Sequence, residues 1–177
     1  EKMFNDLLPG IKTIVFFDEP SLSSYGSAFS SLNQEDVIHS LNECFDAIKG
    51  LKGIHCCGNT DWGLLLETHL DILSFDAYGY LETISLYPKQ LSAFLERGGV
   101  LAWGIVPTSE AILKEDAQSL IKRFKEGVKA LAKKGIDPSL LQRAILTPSC
   151  GTASLSIPLS ERVCQLTSEV SKRLRGE

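Results

Sequence analysis

Short apolar segments alternate with amphipathic segments along this sequence, and that alternation is its strongest constraint on the fold. Each apolar segment is nearly continuous, as expected of strands buried on both faces of a parallel sheet. These segments are residues 12–17, 53–57, 71–75, 100–106 and 143–147. Strands that alternate with helices pair in parallel through right-handed crossovers. The sequence therefore predicts an α/β fold with five parallel strands.

Apolar residues at helical spacing occupy the intervals between the predicted strands. Asn33 is placed to cap a helix over residues 34–48. Further helices are predicted over residues 61–70, 88–97, 109–134 and 159–174. Five β/α units are too few for a complete (β/α)₈ barrel, which typically needs about 250 residues. The pattern fits either an open doubly wound sheet or part of a barrel, in a single domain over residues 1–177.

Composition is that of an ordinary globular chain, and it argues against several classes of partner. The net charge of −4 over 177 residues argues against electrostatic binding of nucleic acid. No apolar run approaches the roughly 20 residues of a membrane span, so we expect no membrane partner. The five cysteines form no small-domain disulfide pattern, which favours a reducing cytoplasm. The chain begins at Glu1 rather than at an initiator Met, which is compatible with part of a longer protein.

Polar and metal-ligating residues follow nearly every predicted strand. In parallel β/α folds, functional residues lie at the carboxyl ends of the strands and in the loops that follow. Here those positions hold Asp18-Glu19-Pro20, residues 55–59, Asp76, Pro107-Thr108 and Cys150-Gly151. We therefore expect a functional site at the carboxyl end of the sheet.

His55 and Cys57 lie two residues apart in a predicted strand, so both side chains point to the same face of the sheet. An imidazole and a thiolate together suit Zn²⁺. Cys150 follows the fifth strand and can approach as a third ligand, which would leave one coordination position for a substrate. The other interpretation is a buried cysteine beside a hydrogen-bonded histidine. We interpret Cys44, Cys56 and Cys164 as core residues.

Three carboxylates also follow predicted strands. Asp18 and Glu19 could bind a substrate ammonium group, and Asp18 could act as a general base. Equally, both could serve as a helix cap or in a salt bridge. Asp76 could be a fourth zinc ligand, an acceptor for the second nitrogen of His55, or an ordinary loop carboxylate.

Four motifs in order resemble a known family. They are FFDEP (residues 16–20), HCCGNT (55–60), SFDAYG (74–79) and TPSCG (147–151). Together they are similar to the C-terminal catalytic barrel of cobalamin-independent methionine synthase. The related uroporphyrinogen-decarboxylase-like corrinoid methyltransferases share the His-x-Cys-Gly and the late Cys-Gly. The resemblance implies the C-terminal part of a TIM (β/α)₈ barrel, about five β/α units long, without the first three units.

The resemblance also implies roles for individual residues. His55, Cys57 and Cys150 would be ligands of Zn²⁺, and Asp18 would hold the amino group of homocysteine. Asp76 stands where methionine synthases carry a zinc-ligating glutamate, and its shorter side chain weakens the case for a fourth protein ligand.

The function implied is transfer of a methyl group to a thiol, which converts homocysteine to methionine in methionine biosynthesis. The donor would be methyl-folate or a methylated corrinoid protein. The alternatives are a corrinoid methyltransferase with another thiol acceptor such as coenzyme M, and a zinc-binding fragment without catalytic activity. An incomplete barrel exposes sheet edges, so we expect either a homodimer or a longer native chain.

Overall fold

Parallel strands alternate with helices in the computed structural model, which describes residues 1–24 and 33–177. The elements in chain order are α1 (Lys2–Leu7), β1 (Ile14–Asp18), α2 (Gln34–Asp46), β2 (Leu51–Cys56), α3 (Trp62–Leu66), β3 (Ile72–Phe75), α4 (Ala77–Ile84), α5 (Pro88–Glu96), β4 (Val100–Val106), α6 (Ala117–Lys133), β5 (Ile145–Pro148) and α7 (Ile157–Arg175). Short 3₁₀ helices span Pro20–Ser24, Glu110–Lys114 and Pro138–Arg143. All five predicted strands are confirmed, with ends shifted by up to two residues.

The five strands form one parallel sheet in the order β1-β2-β3-β4-β5. A doubly wound sheet reverses its winding direction at a switch point, whereas a barrel adds each new strand on the same side of the last. The sequential order is that of a barrel, and it decides between the two architectures that the sequence left open. Strands β1 and β5 are the two edges of the described sheet.

The helices pack against one face of the sheet, and that face forms the core. The central strand residues Ile54, Leu73, Phe75 and Trp103 on this face are fully buried, whereas Phe17 on β1 and Leu146 on β5 are partly buried. The opposite face carries Ile14, Phe16, Leu51 and Ile145, which are large apolar side chains exposed by more than 40%. In a complete barrel this second face would be the packed interior. Here it is open along both edge strands.

Side-chain caps set several helix starts, and they explain where the predicted boundaries were wrong. The Asn33 side chain accepts a hydrogen bond from the Asp36 N–H, as predicted for the start of α2. The predicted helix over residues 109–134 is two elements, because Asp116 and Ser119 form a capping box that starts α6. Helix α4 was not predicted, although Asp76 caps it.

Two of the three cysteines that we interpreted as core residues are exposed in the structure. Cys56 is buried on the helix-covered face, as expected, whereas Cys44 and Cys164 are exposed on their helices. The interpretation of those two as core residues was wrong. Cysteine occurs on both the buried and the exposed face of a helix, so the residue type alone does not show which face it is on. All five are free thiols. No helix in residues 1–24 or 33–177 combines the length and apolar character that crossing a membrane requires.

Gly104 lets the end of β5 approach β4 closely. A Cβ atom at this position would lie 2.5 Å from the carbonyl oxygen of Phe75 and 2.7 Å from the Cα of Ser149. Both are backbone atoms, so neither can rotate away. The missing side chain therefore fixes the position of the chain just before Cys150.

Replacing Ile54 or Ile14 by valine tests which face is the core. Ile54 is 0% exposed and Ile14 is 48% exposed. We expect Ile54→Val to lower the free energy of unfolding by about 0.5–1.5 kcal/mol. The same change at Ile14 should stay within about 0.5 kcal/mol. Urea denaturation measures both, and an equal loss at Ile14 would show that the open face is covered in solution.

Replacing Gly104 by alanine tests the close approach of β4 and β5. The added methyl group meets backbone, so we expect a loss of about 1–3 kcal/mol in the free energy of unfolding. Gly151→Ala is the matched control, since no atom lies within 4 Å of its Cβ position and its φ is not positive. Equal stability of the two variants in thermal unfolding would contradict the expected constraint.

Candidate metal centre

Three side chains with metal-ligating atoms meet at the carboxyl end of the sheet. His55 lies near the end of β2, Cys57 directly follows that strand, and Cys150 lies two residues beyond β5. One imidazole nitrogen and the two Sγ atoms lie within 4.8 Å of one another, the ligand group found among the described residues. Tetrahedral zinc separates thiolate ligands by about 3.8 Å, given Zn–S bonds of about 2.3 Å. Small side-chain rotations would bring the group to that spacing.

Cys150 reaches this group although β3 and β4 separate its strand from β2. In a flat sheet, three strand spacings would hold the two strand ends about 14 Å apart. The contact therefore requires the sheet to curl and the segment after β5 to turn inward. Ser149, buried at 5% exposure, holds that segment: its N–H donates to the Val106 carbonyl over 2.8 Å, and its Oγ accepts from the Thr108 N–H over 3.1 Å.

The two nitrogens of His55 have different surroundings. Nδ1 lies 3.0 Å from the Ser74 Oγ. Nε2 is buried and has no hydrogen-bond partner in the described part of the chain. Buried polar atoms are nearly always satisfied, and an unpartnered nitrogen on a histidine grouped with two thiols is an atom that a bound metal ion would satisfy. The residues present therefore fit a zinc ion.

The electrostatics of the group also fit a bound cation. The pKa of the Cys57 thiol is raised, first by loss of solvent around the sulfur and then by the neighbouring Cys150 thiol. Two adjacent thiolates repel each other, and a metal ion would reverse that balance because it favours the deprotonated form. Burial lowers the pKa of His55 against the opposing charges of Asp18 and Asp76, which favours the neutral imidazole that binds metal.

Asp18 and Glu19 end β1 beside this group. Asp18 is the register partner of His55 on the neighbouring strand, and it is exposed. The Glu19 N–H donates to the His55 carbonyl over 3.1 Å. The Glu19 carboxylate accepts from the Ser21 N–H over 3.0 Å, so it is engaged in the turn that follows. Asp18 thus lies on the strand beside His55, and the Glu19 carboxylate is engaged in the turn after β1. Substrate binding by Asp18 and Glu19 stays a prediction.

Asp76 lies outside the group of three among the described residues. Its Oδ1 accepts from the Gly79 N–H over 2.8 Å and caps α4. Burial raises its pKa, against the lowering effect of hydrogen bonds from the Gly79 and Tyr78 backbone and of the charges of His55 and Arg123. A fourth protein ligand at Asp76 stays a prediction.

Sequence reasoning missed the residues that support the ligands. Ser74 lies on the same face as His55, and the alternation of side chains along β3 could have placed it there. Ser149 and Gly104 gave no such signal, because their contacts form only when β4 and β5 pair.

Comparison with known proteins supports the fold. No protein-family model matches the chain, and no curated protein sequence matches it. Among solved structures, the chain is similar to a B12-independent methionine synthase from Shewanella sp. W3-18-1 in complex with selenomethionine, with a TM-score of 0.62 and 18% sequence identity. The match covers 94% of this chain and 49% of that one, so the chain spans about half the neighbour's length. The likeness confirms the expected barrel-type α/β fold.

Proposed function

We propose that this chain carries the zinc site of a methyltransferase that moves a methyl group to a thiol. The observation that supports this most is the convergence of His55, Cys57 and Cys150 within 4.8 Å. One imidazole and two thiolates are a ligand set that suits zinc. Three protein ligands leave a fourth coordination position for a substrate, as in catalytic rather than structural zinc sites. Cys57 is exposed, which supports access of a substrate to this group.

The chemistry divides between the metal and the chain's own residues. A bound zinc ion would hold a substrate thiol as its thiolate, the nucleophilic form. Cys57 and Cys150 supply two negative charges and so keep the electron density on the substrate sulfur high. The sulfur would attack the methyl carbon as the bond between that carbon and the donor breaks. The donor would keep the bonding electron pair, and the thiol proton would pass to solvent. The hydrogen bonds of Ser149 hold the segment that carries Cys150, and the pairing of β2 with its neighbouring strands holds His55.

The substrate that fits best is an amino thiol, and we propose homocysteine. Asp18 presents an exposed carboxylate beside His55, in reach of an ammonium group on a thiol held at the metal. Coenzyme M has no amino group, so an enzyme for that acceptor would not need this carboxylate. The methyl donor in this proposal is methyl-folate or a methylated corrinoid protein.

A zinc-binding fragment without catalytic activity is the second candidate, and the open face of the sheet favours it. Residues 1–24 and 33–177 form five strands, where a complete barrel has eight. Groups that present the methyl donor would then lie on another part of a longer protein or on a second copy of this chain.

Zinc content and ligand variants test the site. We expect the purified protein to bind one zinc ion per chain, and Cys57→Ser or Cys150→Ser to lower zinc affinity at least about 100-fold, because each removes a thiolate from the set. Cys164→Ser is the matched control, since that thiol is exposed on α7. Competition with a chromophoric chelator measures the affinities. Absence of zinc from the wild-type protein would overturn the proposal.

X-ray absorption and turnover then separate the two candidates. On adding homocysteine, a methyltransferase site should gain a sulfur in the zinc coordination sphere, and the chain should form methionine from methylcobalamin. A fragment should gain the sulfur without turnover. A zinc spectrum that no thiol changes would exclude both thiol acceptors.

Asp18→Asn tests the amino-thiol assignment. Removing the negative charge should weaken homocysteine binding about 10- to 100-fold, since a hydrogen bond to a charged group contributes roughly 1.5–3 kcal/mol. Zinc affinity should not change. The matched ligand is 4-mercaptobutyrate, which is homocysteine without its amino group and should bind wild type and variant equally. Calorimetric titration measures each pair, and equal homocysteine affinity in both proteins would remove Asp18 from substrate binding.

A further inference from the structure

A buried hydroxyl group lies against the imidazole of His55. The Ser74 Oγ is 3.0 Å from Nδ1, and Ser74 is 7% exposed. Ser74 and His55 are register partners on the neighbouring strands β3 and β2, so their side chains share the open face of the sheet. The pairing of the two strands therefore sets this contact, and it does not depend on a flexible loop.

We infer that Ser74 is a positioning residue that fixes which nitrogen of His55 binds the metal. Its Oγ accepts a hydrogen bond from Nδ1–H, which leaves Nε2 with the lone pair that a metal ion held by Cys57 and Cys150 would use. This inference rests on the proposed zinc site and adds to it a residue that does not itself touch metal or substrate.

The choice of tautomer follows from the surroundings of Nε2. A neutral imidazole carries its single hydrogen on one nitrogen and a lone pair on the other. If Ser74 donated to Nδ1, the hydrogen would sit on Nε2, which is buried and has no acceptor among the described residues. An unsatisfied buried N–H costs about 1–3 kcal/mol. Donation from Nδ1–H to Ser74 avoids that cost, and it leaves an acceptor-type lone pair that a cation can use.

The hydrogen bond from His55 to Ser74 would strengthen metal binding, because a histidine ligand binds more tightly when its ring orientation is fixed. A histidine that donates its second N–H to a neighbour is held in one ring orientation and becomes a stronger base toward the metal. Without Ser74, the ring of His55 could rotate and exchange tautomers, and some of the population would present N–H toward the two thiols. Weaker zinc binding is the expected consequence.

The test combines nitrogen NMR with zinc titration. In metal-free wild-type protein with ¹⁵N-labelled histidine, the two-bond proton–nitrogen correlations of His55 should show hydrogen on Nδ1 and not on Nε2. In Ser74→Ala we expect the zinc dissociation constant to rise about 10- to 100-fold, as is typical when a metal ligand loses its supporting partner. The visible spectrum of the Co²⁺-substituted variant should also change, because the imidazole is no longer held in one orientation.

Thr68→Val is the matched control for losing a buried hydroxyl. The Thr68 Oγ1 is fully buried and donates to the Leu65 carbonyl over 2.7 Å, at the opposite, amino-terminal end of the strands. This variant should keep the wild-type zinc affinity and Co²⁺ spectrum even if it unfolds at lower temperature. A loss shared by both variants would assign Ser74 a merely structural role and overturn the inference.

Other outcomes separate this inference from the proposed function. Hydrogen on Nε2 in the wild-type protein overturns the role of Ser74 whether or not zinc binds. Unchanged zinc binding in Ser74→Ala overturns it as well, since Ser74 would then give the ligand no support. Tighter binding also overturns it, because Ser74 would then compete with the metal for Nδ1. If wild-type protein binds no zinc, the proposed function fails, and the NMR measurement still decides the tautomer. The NMR measurement is made on the wild-type protein, so it tests the inference even if the Ser74→Ala variant does not fold.

Discussion

The register of β1, β2 and β3 is the constraint on which the candidate site depends. Asp18, His55 and Ser74 are register partners across these three strands and form one polar row on the open face. A slip of one residue in β2 would turn His55 toward the helices and bring Ile54 or Cys56 to the row. The carboxylate, the imidazole and the hydroxyl are therefore placed by strand pairing, and only the thiols of Cys57 and Cys150 depend on the segments that follow.

The helix-covered face supplies the energy that holds this register. Edge-to-face ring pairs run from Trp62 through Phe75 and Trp103 to Phe124, with centroids 4.9–6.0 Å apart. Each such pair stabilises the folded state by more than the burial of its apolar surface alone. These pairs connect α3, β3, β4 and α6, so β3 and β4 cannot slide past each other without breaking the chain of rings. On β1 and β2 the same face packs through Phe17, whose ring meets Phe45 of α2 edge to face, and through the fully buried Ile54. Apolar packing on this face thus supports the polar row on the other.

Sequence alone predicted what depends on local pattern. Strand positions follow from short apolar runs, and the shared face of His55 and Cys57 follows from their spacing. The alternation alone fits two windings, so the barrel prediction came from the resemblance of the four motifs, and the sequential strand order confirms it. The break before α6 was missed because the apolar stripe continues past Asp116, where a two-residue capping box acts. The support of Cys150 by Ser149 and Gly104 was not predictable, since it arises between β4 and β5, which are far apart in sequence.

The two proposed functions of the site, metal binding and methyl transfer, place different requirements on the open face. All three candidate zinc ligands belong to this chain, with His55 on β2 and the two cysteines in the segments that follow β2 and β5, so the proposed metal site draws on no other polypeptide. Methyl transfer also needs a surface that brings the donor to the substrate sulfur, and in a complete barrel three more strands would contribute to that surface. Exposed Ile14 and Phe16 on β1 and Ile145 on β5 mark the edges where such a surface would join. A second copy and a further segment of a longer protein could each cover those edges, and only a cover that reaches past them to Asp18 and Cys57 would complete the active site.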